Sequence, residues 1–96
     1  MKIEFREKHL AIIRTDRATE LKLPVAVIKL CQDKLDFIEA APDERTLRNW
    51  RSLRFKKLEG SDLRQIRINK QYRMRFELDN TRNPPVITVT FIGDPH

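Results

Sequence analysis

Cysteine is nearly absent from this chain. Cys31 stands alone among 96 residues, which excludes an internal disulfide and fits a reducing, cytoplasmic setting. No apolar run approaches the ~18 residues of a membrane span, and the N-terminal KIEFREKHLAIIR carries too many charges for a signal peptide. Glycine occurs twice and builds no phosphate-cradling P-loop. The two histidines, His9 and His96, lie at opposite ends of the chain, and no HExxH or CxxC spacing occurs. The sequence therefore offers no metal-ligand cluster and no Cys/His nucleophile pair, and no cofactor is expected. Acid is scarce in one place above all. Residues 45–75 hold eleven Lys/Arg against Glu59 and Asp62.

That stretch carries +9, so the rest of a chain with net charge +6 carries −3. A basic block of this kind points to a polyanionic partner, nucleic acid or an anionic surface. Arginine dominates it, and the guanidinium fork suits bidentate phosphate contacts better than an ammonium does. With 40% apolar and 35% charged residues over 96 positions, the chain makes one globular domain spanning 1–96.

The periodicity predicts a βααβββ order. Lys2 to Phe5 alternates as a short edge strand. Leu10, Ile13 and Arg17 are spaced for an amphipathic helix over 6–17. A second helix runs from Pro24 to about Ala40, with Val27 or Ile28, Cys31, Leu35 and Ile38 as its apolar stripe. Cys31 on that stripe reads as a buried small hydrophobe, and His9 as a surface residue. DERTLRNW is a short helical turn capped by Asp43, with Trp50 anchoring it to the core. Strands follow in LRFKKL, around Ile66–Ile68, from Tyr72 to Leu78, and in VITVTFI, where Ile87, Val89 and Phe91 share one side. Turns fall at Gly60-Ser61-Asp62 and near Asn69-Lys70.

Two helices and a small antiparallel sheet form a layered α+β domain. The helices bury their stripes on one sheet face, and the other stays open to solvent. Strand parity gathers Arg54, Lys56, Arg67, Arg73 and Arg75 on that open face, a floor suited to phosphates.

Three segments carry a resemblance: "FKKLEG", "IRINKQYRMRFELD" and the terminal "GDPH". With "FIEAAPDERTL" and the following Trp50, they resemble the HigB branch of the RelE/ParE toxin superfamily over essentially the whole chain. The resemblance implies a RelE-like fold and a ribosome-dependent mRNA endoribonuclease, held inactive by a helix-turn-helix, HigA-like antitoxin. Operator DNA would be bound only through the antitoxin complex, and no membrane is involved. It also implies that Arg73 contacts the scissile phosphate, and that His96 and Asp94 match the family's C-terminal histidine and aspartate. The chain departs from the family twice: Lys56 or Arg54 stands where a histidine is common, and Pro95 replaces a tyrosine.

Metal-free RNA cleavage needs the 2′-OH deprotonated, the phosphorane charge stabilised and the 5′-oxygen protonated. Arg73 is the natural charge stabiliser. Lys56 is a candidate base, since crowded cations favour a neutral amine. The resemblance makes His96 the candidate acid, and Asp94 is an alternative. Arg54, Lys57, Arg67, Lys70 and Arg75 are expected to bind the RNA backbone. Two other functions fit the charge: a ParE-like inhibitor of DNA gyrase and a non-catalytic nucleic-acid-binding module.

Overall fold

A computed structural model describes residues 1–95. Strand β1 (Lys2–Phe5) leads into a short helix α1 (Lys8–Ala11) and two 3-10 turns, Ile12–Arg14 and Ala18–Leu21. The long helix α2 (Val25–Ala40) and the short α3 (Glu44–Asn49) follow, then a 3-10 turn at Arg51–Leu53. The chain ends in strands β2 (Lys56–Lys57), β3 (Leu63–Arg67), β4 (Arg73–Asp79) and β5 (Val86–Gly93). The helices pack against a five-stranded sheet of order β1-β5-β4-β3-β2. The α+β architecture is as expected, but the sheet is mixed: β1 pairs in parallel with β5, and every other neighbouring pair is antiparallel.

Helix α2 forms where its stripe demands it. Val27, Ile28, Cys31, Leu35 and Ile38 are all buried, and they meet Ile66, Met74, Phe76, Ile87 and Val89 from the sheet in one core. Each large apolar side chain removed from water there contributes ~1.5–3 kcal/mol. Burial pushes the Cys31 thiol up to about 12, so it stays neutral and inert. Past the end of α2, the Met1 ammonium donates to the carbonyls of Ile38, Glu39 and Ala41, placing positive charge at the negative end of the helix dipole.

The helix expected over 6–17 is broken. Only Lys8–Ala11 is α-helical, and Thr15 is extended. Ile12, Ile13 and Thr15 are β-branched, a costly run in a helix, and tertiary contacts hold the segment instead. Gln32 Nε2 donates to the Ile13 carbonyl, and Arg14 reaches both Asp36 and Glu39 on α2. LRFKKL likewise falls short of a strand. Arg51–Leu53 is a 3-10 turn, and Arg54 sits in the left-handed region at φ 50°. Leu53 is nonetheless buried, and Phe55 packs on the core.

Asp43 caps α3 as expected, accepting from the Thr46 amide at 3.0 Å. Trp50 lies against Phe37 with ring centroids 4.0 Å apart, anchored to the core. Gly60 turns the chain at φ +75°, a conformation that glycine adopts freely. No helix among the described residues is long and apolar enough to cross a membrane.

Candidate functional site

Cross-strand register decides which side chains share a face. Ile66 opposes Met74 beneath the helices, so their neighbours Arg67 and Arg73 oppose each other on the open face. Gln65 opposes Arg75 one pair further along, and Lys56 of β2 opposes Gln65 from the other side. Arg54, thrown out by its left-handed backbone, completes the set. Arg54, Lys56, Gln65, Arg67 and Arg73 line one shallow concavity of about 210 Å³. No carboxylate among the described residues lines it. Among the described residues, neither these four cations nor the adjacent Arg75 forms an ion pair. Acids on the same face are engaged elsewhere, Glu77 by Arg6 and Glu4 by Arg82.

Opposed cations repel, so two arginines facing each other across a strand pair need an anchor. The turn between β3 and β4 supplies it. The Asn69 carbonyl accepts from Arg67 Nε at 3.2 Å and from Arg73 Nη1 at 2.8 Å, and Arg73 Nη1 also donates to the Tyr72 carbonyl at 3.0 Å. The Asn69 side chain in turn accepts from the amides of Gln71 and Tyr72, which fixes the turn. Gln71 Nε2 donates to Asp94 Oδ2 at 2.7 Å, tying the C-terminal segment to the same turn. Half-buried and held at one edge, Arg73 presents the rest of its fork to the concavity.

The expected residues divide accordingly. Arg54, Lys56, Arg67 and Arg73 come together in the concavity, and Arg75 adjoins it, its Nε on Gln65 Oε1 at 3.0 Å. Asp94 lies within reach of the β3–β4 turn through Gln71. Lys57 opposes Arg64 and so belongs to the other side of β2, while Lys70 is exposed at the tip of the turn. His96 lies outside the described residues.

Gln65, Asn69 and Phe91 were not anticipated. Gln65 was legible, because the Ile66/Ile68 alternation extends backward through it. Phe91 was not. A register shift between Arg75 and Phe76 leaves Thr90 as an extra residue on β5, so Phe76 opposes Val89 while Arg75 opposes Phe91. The expected grouping of Ile87, Val89 and Phe91 therefore fails at its last member. Ile92 is buried instead, and Phe91 joins the cationic face.

A donor set of four cations and one amide repels a divalent metal and fits a phosphate oxyanion. Among the described residues, no group of three His, Cys, Asp or Glu side chains is placed to hold a metal ion. A family model described as the RelE-like toxin of type II toxin-antitoxin system HigB matches residues 3–96. No curated protein matches.

Proposed function

We propose that this chain, which belongs to the HigB-like family of RelE-type toxins of type II toxin-antitoxin systems, is an endoribonuclease that cuts mRNA on the ribosome. The observation that carries the proposal is the cationic concavity of Arg54, Lys56, Gln65, Arg67 and Arg73, which no acid among the described residues lines. The scissile phosphate sits there. The 2′-oxygen attacks phosphorus as its proton passes to the base, and the bond to the 5′-oxygen breaks as that oxygen takes a proton from the acid. The products are a 2′,3′-cyclic phosphate and a 5′-hydroxyl. The scheme uses no metal ion, and the cationic lining supports this: among the described residues, no carboxylate faces the concavity to hold one.

Arg73, with Arg67 beside it, faces the charge that builds on the phosphorane, where a preorganised donor acts most strongly. Lys56, exposed on β2, is the base of this scheme. His96 is the acid, carried two residues beyond Asp94. Arg54 and Arg75 bind the flanking backbone, and Lys57 and Lys70 contribute to the long-range field that attracts the RNA.

A concavity this shallow does not wrap a nucleotide, so in-line geometry must come from elsewhere. The ribosome supplies it by holding the mRNA, and this places the toxin in the cytoplasm. Restraint comes from its antitoxin, the partner that every type II toxin has; a helix-turn-helix protein of HigA type is our expectation for it.

The test is to incubate the purified protein with programmed ribosomes and with the same mRNA free in solution, then map the new 5′-ends. Cleavage is expected only on the ribosome, and it should persist in EDTA at a concentration that leaves ribosomes intact. Efficient cutting of naked RNA would refute the ribosome requirement. An uncut message combined with inhibition of DNA gyrase would replace this reading with a ParE-like one.

A further inference from the structure

The chain has seven aromatic residues, and six of them, Phe5, Phe37, Trp50, Phe55, Tyr72 and Phe76, belong to the core or pack against it. Phe91 does neither. The extra residue at Thr90 turns its ring onto the cationic face, opposite Arg75. Bulges are common beside functional sites because they re-aim one side chain. Two further features fit the ring to its place. Its far edge lies over Gly93, where an added Cβ would stand 3.0 Å from Cζ, so a side chain there would push the ring aside by a few tenths of an ångström. The Arg75 guanidinium lies 5.2 Å from the ring centroid, with its Nε held by Gln65.

A pinned guanidinium over an aromatic ring, next to a phosphate-sized cationic concavity, is the chemistry that holds an unstacked base. We infer that Phe91 and Arg75 form a stacking platform for one nucleobase of single-stranded RNA, adjacent to the phosphate bound by Arg67 and Arg73. The inference rests on the RNA-binding reading above and extends it from backbone to base. Stacking is sequence-tolerant, because every base has a π-face, so the platform discriminates base from no base rather than one base from another.

The test compares binding, at low salt, of a short single-stranded RNA and of a strand of equal charge whose nucleotides are abasic. Wild type, Phe91→Leu, Gly93→Ala and Arg73→Ala are measured, each after a thermal melt shows it folded. Wild type should prefer the base-bearing strand about tenfold. Phe91→Leu keeps apolar cover but removes the π-face and should bind the two strands equally; Gly93→Ala nudges the ring without changing charge and should reduce the preference. Arg73→Ala should weaken both strands and keep the preference. A Phe91→Leu protein that still prefers bases overturns the platform alone. Failure of wild type to bind either strand overturns the platform and the phosphate floor together.

Discussion

Arg54 shows most directly what the site costs. A side-chain-bearing residue in the left-handed region costs ~1–2 kcal/mol, and such strain persists where the surroundings enforce it. Here the chain leaves a 3-10 turn, buries Leu53, and must still deliver Phe55 to the core and Lys56 to the open face. The left-handed step at Arg54 makes that possible. Arg54→Gly should therefore be at least as stable as wild type in urea denaturation, by up to ~1 kcal/mol. Arg54→Ala, which keeps the strain, should gain nothing. Both should bind RNA more weakly. A glycine variant less stable than the alanine variant would show that the backbone is not strained there. Arg67 opposite Arg73 is a second cost, since like charges paired across strands destabilise a sheet. Their shared anchor on the Asn69 carbonyl offsets part of it.

Elements formed where periodicity and burial agreed and failed where local chemistry intervened. Helix α2 was legible because its stripe, its proline start and its length all point the same way. Strands β3 and β4 were legible through alternation, which is why the grouping of Arg67, Arg73 and Arg75 could be read without coordinates. The helix over 6–17 was not, because apolar spacing is blind to the β-branched cluster that breaks it. Nor was Phe91, because a bulge inverts parity and leaves no mark in composition. The parallel pairing of β1 with β5 was hidden for another reason: nothing in a four-residue strand names its partner. Helix α3 was legible from its cap, and that cap titrates. Hydrogen bonds from the Thr46 amide and hydroxyl hold the Asp43 carboxyl below its usual range. Its stabilisation is thus full above the unfolded value of ~4 and is lost as pH falls through the lower folded value. Asp43→Asn keeps the cap without the titration. Its urea midpoint should drop less than that of wild type between pH 7 and pH 3, and equal drops would show that the cap does not titrate.

At the scale of the molecule, one sheet separates two chemistries. Beneath the helices lie Met74 and Phe76, fully buried; on the other side lie Arg73 and Arg75, one residue away along the same strand. Phe76→Asp should abolish the cooperative melt, since it buries an unpaired charge. Arg73→Ala should not, because the carbonyls it serves keep other donors, Arg67 for Asn69 and the Ile68 amide for Tyr72. This separation makes the central claim open to a single experiment. Single-turnover cleavage of mRNA on programmed ribosomes is measured for wild type and Arg73→Ala, alongside ribosome affinity. If Arg73 stabilises charge that exists only in the transition state, the rate should fall about a hundredfold, ~3 kcal/mol, while affinity changes only a few-fold. A folded Arg73→Ala protein that cuts at the wild-type rate would contradict the account.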